Sequence, residues 1–322
     1  MARAQLTGQH TSEWPGGDAL EIAARYVADV RSTPTTAGRL RAAANRQGPR
    51  AVAQVLRSVP LVRAPFSQTA AGDELRNWFH PTRLLPLDRA PIAVLPLPAS
   101  PAEYMRGRSK QALRTNLTRA ADAGLVCDVA TSPEEVWRSG QVIAARRGQR
   151  LEDIVLRRPR PGLVRRFTIA YDVAGDPVGL SETIVDREWA GLAVLLSSPG
   201  HADAQLIRYL LHAHTVGGLI ADGVSALVVG GSMLLTSPGT RYFQRRTGFV
   251  PAWLRPTPRV TAGTRRRKAG APVSLTLADL VEAVPAVAAP CPDGSPSPRT
   301  VPVVPGSPSP PTGAPPVSHS GS

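Results

Sequence analysis

The sequence predicts an α/β fold: a mixed, mainly antiparallel central sheet flanked by helices, with a helical N-terminal segment before it and a disordered tail after it. Three observations predict it. Residues 166–197 carry three short apolar runs joined by tight turns, the pattern of an antiparallel meander. Before them, two helices open with the same start signal, Ser100-Pro101-Ala102-Glu103 and Ser132-Pro133-Glu134-Glu135. After them, a long apolar helical stripe is followed by a strand, a shorter helix and a last strand.

In chain order, Ala19, Leu20, Ile22, Ala23, Tyr26, Val27 and Val30 recur at helical spacing. Ala51, Val52, Val55, Leu56 and Val59 do so again, and Pro60 stops that helix. Residues 60–90 are Pro-rich and read as irregular. Residues 92–97 are a strand. The first Ser-Pro start then opens one helix that runs to the Gly124 stop. Residues 125–130 are the next strand, and the second Ser-Pro start opens a helix ending at Gly148. The meander strands are 167–173, 178–185 and 189–197, with Ala174-Gly175-Asp176-Pro177 and Asp186-Arg187-Glu188 as turns. The long helix spans 203–221, with Leu206, Tyr209, Leu210, Ala213, Val216 and Ile220 on one stripe. Residues 226–229 are a buried strand, 238–247 a short helix and 249–254 the last strand. The expected division is a helical segment at 1–69, the α/β domain at 70–256 and the tail at 257–322.

Composition bounds the function. The chain has 322 residues, 42% hydrophobic and 19% charged, enough for a sizeable core. No Gly-X-Y period runs through it, and no apolar run reaches the ~18 residues of a membrane helix. Residues 1–10 lack the apolar core of a signal peptide. Cys127 and Cys291 are the two cysteines, too few for a disulfide framework or a cysteine-rich zinc site, so the expected compartment is a reducing cytoplasm. Of the 33 prolines, twelve fall after residue 284, where serine and glycine also abound. Such a stretch buries too little apolar surface to offset its chain entropy. Net charge is +14. Only Lys110 and Lys268 are lysines, and arginine supplies the rest of the excess, spread along the chain. That bias reads as composition, yet a field of this sign also suits a phosphate-bearing partner.

Several residues carry candidate chemistry. Gly230, Gly231 and Ser232 end the buried strand, and ligands in α/β sheets favour the carboxyl ends of strands. Two glycines there let backbone approach a ligand, and Ser232 offers a hydroxyl. Leu234 stands where a nucleophile elbow needs its closing glycine, which argues against a hydrolase. Arg108, Lys110, Arg114 and Arg119 crowd one helix, and Arg241, Arg245 and Arg246 crowd the short one. Both groups suit phosphates or simply a solvated basic face. His212 and His214 lie two residues apart on a helix and cannot chelate one metal together, and no metal is expected.

The order of elements from residue 90 resembles the GCN5-related N-acyltransferase superfamily, and within it the Fem-type, acetyltransferase-like branch. Three stretches carry the resemblance: residues 108–124 (Arg-Ser-Lys-Gln-Ala-Leu-Arg-Thr-Asn-Leu-Thr-Arg-Ala-Ala-Asp-Ala-Gly), the hairpin Gly175-Asp176-Pro177-Val178-Gly179, and residues 239–249 with Phe243, Gly248 and Phe249. It implies transfer of an acyl group from acetyl-CoA or another acyl-CoA to an amine on a small molecule or peptide. Arg108, Lys110, Arg114, Arg245, Gly230 and Gly231 are then the expected cofactor contacts. Glu182 is the expected general base and Ser232 the other expected catalytic residue, donating a hydrogen bond to the ligand, with no membrane partner. Two departures stand out. The loop before the long helix, residues 197–205, has one glycine and an acidic Asp203, where a coenzyme A loop is glycine-rich. Gln244 stands four residues before the terminal glycine, where many members carry a tyrosine general acid. Two alternatives therefore stay open: a Fem-like transferase using aminoacyl-tRNA, and a non-enzymatic module that binds nucleic acid or protein.

Overall fold

A computed structural model describes residues 17–44, 46–79, 91–151 and 163–258. The fold is α/β. Eight strands form one mixed sheet in the order β1-β8-β2-β7-β6-β5-β4-β3. They are β1 Leu61–Phe66, β2 Ile92–Pro96, β3 Val126–Val129, β4 Arg165–Tyr171, β5 Pro177–Asp186, β6 Trp189–Ser197, β7 Ala226–Val229 and β8 Val250–Pro258. Pairing is antiparallel except for β1 with β8 and β6 with β7. The helices are α1 Gly17–Ser32, α2 Thr36–Ala43, α3 Gln47–Ser58, α4 Ala70–Trp78, α5 Pro101–Tyr104, α6 Gln111–Asp122, α7 Pro133–Arg146, α8 Ala204–Ala221 and α9 Pro238–Thr247.

Alternation along the central strands divides the core between the two faces of the sheet. Ala93, Leu95, Ala190, Leu192 and Leu227 face one side, where α1, α3, α6, α8 and α9 close over them. Ile92, Val94, Ile184, Trp189 and Val228 face the other, against β1 and α4. On that same second face, Ile143 and Ala144 of α7 meet Ile169 and Leu180. Both sides are dry, which is why β2 and β7 read as unbroken apolar runs.

The predicted helix starts are built as caps. Ser100 and Ser132 accept hydrogen bonds from the N–H of Glu103 and Glu135, both 3.1 Å, with proline in the first helical turn. Ser237 does the same for α9 at 3.2 Å, and Gly248 ends that helix at φ +92°. These three interactions fix helix entry at the chain positions read from the sequence.

Two sequence expectations need correction. Residues 60–90 contain a strand and a helix, β1 and α4. β1 is the edge strand, so Pro65 costs no ladder bond, and its apolar signal is only an alternation of exposed and buried residues. α4 is capped by Thr69 and anchored by Asp186, which accepts the Ser67 N–H at 2.7 Å. The helix expected from residue 101 to Gly124 is broken. Gly107 adopts φ +91°, a short 3-10 turn follows at Arg108–Lys110, and α6 starts afresh at Gln111. Arg114 stabilises the break by donating to the carbonyls of Met105 (2.6 Å) and Gly107 (3.0 Å).

The last strand runs on to Pro258, so the first residues of the expected tail belong to the sheet. The remainder of the predicted disordered tail lies outside the described residues. Among the described residues no helix is long and apolar enough to cross a membrane.

Candidate functional site

The parallel neighbours β6 and β7 come apart. They pair from Trp189 opposite Ala226 to Leu192 opposite Val229, and there β7 ends. β6 continues for five more residues. Its register on β5 slips at this point: Glu182 faces Val194 and Thr183 faces Leu192, leaving Ala193 as a bulge. Ala193 is exposed, and residues 194–197 are half-buried. The Ser198 N–H donates to the Val178 carbonyl at 2.8 Å. By the alternation of an antiparallel ladder, the amides and carbonyls of Leu195 and Ser197 therefore point away from β5, toward the line that β7 has vacated. Arg147 reaches in from the end of α7 and donates to the Ser197 carbonyl at 3.0 Å. Among the described residues no strand covers this edge of β6 beyond Leu192.

The turn after β7 borders this opening. Gly230 and Gly231 are exposed, and Gly231 has φ +90° with no atom of the described residues within 4 Å of where a Cβ would stand. Ser232 is a cap: its Oγ accepts the Leu234 N–H at 3.2 Å and its carbonyl accepts the Thr236 hydroxyl at 3.0 Å. A Cβ on Gly191 or Gly230 would meet the Trp78 ring, at 2.5 and 3.3 Å respectively. Trp78 therefore lies against the parting of the strands from the α4 side.

Glu182 lies on that same face, one strand from the gap. It is 4% exposed, with Arg165 at 3.2 Å. Burial raises its pKa above the ordinary carboxylate value; Arg165 opposes the shift and Glu74 adds to it. Glu74 is also buried and accepts the Trp78 indole N–H at 3.2 Å. Ser181 points the other way, to Thr215 of α8 at 2.8 Å. A carboxylate whose pKa is raised can take a proton from an attacking amine.

The arginines divide into two groups. Arg108, Arg119 and Arg246 line a groove of about 490 Å³ with Gln111, Ala112, Thr115, Asn116 and Gln205. Its walls are α6 on one side and the start of α8 with the end of α9 on the other. Among the described residues no carboxylate lines it, so it suits an anion. Arg245 is exposed and is not among the residues that line the groove. Arg114 is committed to the backbone of the α5–α6 break. Lys110 does not reach the groove: it is 9% exposed, its Nζ donates to the Thr247 carbonyl, and it lies 4.1 Å from the Tyr104 ring centroid. Burial pushes its pKa down to about 7. Of the expected residues, Gly230 and Gly231 border the parted strands, Glu182 lies one strand away from them, and Arg108 lines the groove. Lys110, Arg114 and Ser232 hold structure.

Sequence reasoning missed Trp78, Glu74, Arg165 and Arg147. Trp78 and Glu74 lie in the stretch that read as irregular. Arg165 and Arg147 carry no local signal, and only strand and helix packing brings them to the site.

No family model matches the chain, and no curated protein matches it. Solved structures show partial likeness. L-PGS from Bacillus licheniformis is similar over 50% of this chain and 57% of that one, at 12% identity and TM-score 0.37. A GCN5-related N-acetyltransferase from Kribbella flavida is similar over 51% and 54%, at 16% identity and TM-score 0.32. A tandem GNAT protein from the clavulanic acid biosynthesis pathway is similar over 65% and 68%, at 13% identity and TM-score 0.33. The chain spans a little over half the length of the first two.

Proposed function

We propose that this chain is an N-acyltransferase that moves an acyl group from an acyl-CoA thioester to an amine. The observation that carries the reading is the parting of β6 and β7 after Leu192 and Val229, beside Gly230 and Gly231. An extended amide-bearing arm can lie along the free edge of β6 and present its thioester at the bulge. Backbone N–H groups there can polarise the thioester carbonyl. The amine nitrogen then bonds to the carbonyl carbon, the C–S bond breaks, the thiolate takes up a proton, and Glu182 accepts the proton shed by the amine, directly or through water. The groove arginines Arg108, Arg119 and Arg246 take the phosphates.

A donor carried on tRNA is the second reading. Asp203 at the entry to α8 favours it, because an acidic residue there opposes a pyrophosphate at the helix start, and the groove arginines Arg108, Arg119 and Arg246 lie by α6 and α9 instead. The deciding experiment is thermal unfolding of the full chain with coenzyme A, with acetyl-CoA and longer esters, and with charged tRNA. A ligand at ~100 times its dissociation constant adds about 2.7 kcal/mol to stability. A rise in Tm with an ester and none with tRNA supports the thioester reading, and the reverse pattern overturns it.

A further inference from the structure

We infer that Lys110 is a positioning residue that latches the two arginine-bearing walls of the groove together, without touching the anion that the groove binds. The inference rests on the donor-phosphate reading of that groove. Lys110 lies between Arg108 and Gln111, which both line the α6 wall. Its ammonium turns inward and donates to the carbonyl of Thr247, the residue after Arg246 on the opposite wall. One side chain therefore joins the entry of α6 to the last turn of α9.

The surroundings are built for this contact. Thr247 ends a helix, where carbonyls lack intrahelical donors and the helix dipole is negative, so a cation is well placed there. The same carbonyl accepts the Tyr104 hydroxyl at 2.7 Å. Tyr104 has one proton to give, so its 2.8 Å contact with His212 Nε2 takes its proton from the imidazole. His212 is thereby set as the neutral Nε2–H tautomer, which fits a pKa pushed down to about 3 by burial and by Lys110. Tyr104 and His212 are the titratable groups that face Lys110 from α5 and α8. Gly248 leaves the space: a Cβ there would run into Lys110 Nζ. The break at Gly107 turns the chain so that Arg108 stays outside while Lys110 goes in.

Coenzyme A binding to the full chain, measured by titration calorimetry, tests the latch with two variants. Lys110→Met keeps the length and loses the donor. It is expected to bind coenzyme A about tenfold more weakly, the scale of one hydrogen bond from a charged group. Its Tm should stay level or rise, since an apolar residue replaces a buried charge. Lys110→Gln keeps an N–H donor without the charge and is expected to recover most of the affinity. Wild-type affinity in Lys110→Met overturns the latch. So does equal loss in both variants, because the charge itself would then be acting on the anion. Arg246→Ala separates the two levels. If it binds as tightly as wild type, or if the wild-type chain does not bind, the groove reading fails and the latch falls with it.

Discussion

The Arg165 guanidinium and the Glu182 carboxylate face each other at 3.2 Å across β4 and β5, on the sheet face away from α8. Both are nearly dry, and the pair lies one strand from the point where β6 leaves β7. Glu182→Gln preserves shape and removes the base. Acyl transfer should fall by about a hundredfold or more, the usual scale for a general base, and Tm should fall as well because the buried Arg165 charge loses its partner. Steady-state rates with acetyl-CoA and a primary amine check this; an unchanged kcat removes Glu182 from the reaction.

Removing Arg165 takes away the one contribution that lowers the Glu182 pKa. In Arg165→Met the carboxyl should titrate at higher pH, so the acid limb of the pH–rate profile moves up. Glu182 already binds its proton more tightly folded than unfolded. Its contribution to stability is thus largest below pH 4.5 and declines as pH rises through the folded value. Arg165→Met should carry that decline to higher pH, which chemical denaturation over a pH series above 4.5 measures.

His212 gives the opposite slope. Its pKa is lowered from 6.5 to about 3, so the unfolded chain binds the extra proton in that window. Stability from this residue is present above pH 6.5 and is lost as pH falls toward 3. His212→Gln should flatten the acid side of the stability curve over that range. A curve of unchanged steepness would show that other groups set it.

The glycines around the gap differ in what they tolerate. At Gly191 a Cβ lies 2.5 Å from Leu75 and from Trp78, so Gly191→Ala overpacks the core and should cost about 1–3 kcal/mol. At Gly231 no described residue crowds the Cβ position, and the cost comes from φ +90°, about 1–2 kcal/mol. Urea midpoints rank the two. Gly231→Ala should also weaken acyl-CoA binding if the turn meets the ligand.

Arg241 of α9 is buried and holds Glu21 of α1 at 2.9 Å as well as the Thr236 carbonyl. Arg241→Ala leaves that carbonyl without its donor and should cost about 1–3 kcal/mol. Glu21 is half exposed, so Glu21→Ala should cost at most about 1 kcal/mol. Thermal melts of both variants test the inequality.

By itself, the sequence determined the elements whose signals are local. The meander, the two Ser-Pro helix starts at Ser100 and Ser132, the long apolar stripe of α8, the buried strand at 226–229 and the Gly124 stop all stand where their residues put them. Capping, turn chemistry and periodicity act over about three to seven residues, so a window of that size contains their cause. Glu182 and the two glycines were legible for the same reason: a carboxylate in an apolar strand and a glycine pair after a strand are local anomalies.

Tertiary structure alone decided the rest. β1 is held as an edge strand by β8, which lies far along the chain, and its own sequence, with Pro65 in it, argues weakly for a strand. Lys110 and Arg108 are two residues apart and look alike in sequence; Gly107 and the end of α9 send one inward and leave the other in the groove. Arg165, Glu74 and Trp78 join Glu182 only because β4 and α4 pack against β5. The bulge at Ala193 follows from matching β6 to β5 while β7 ends early. Each of these depends on which distant segment supplies the partner, and that choice is made by burial over the whole sheet.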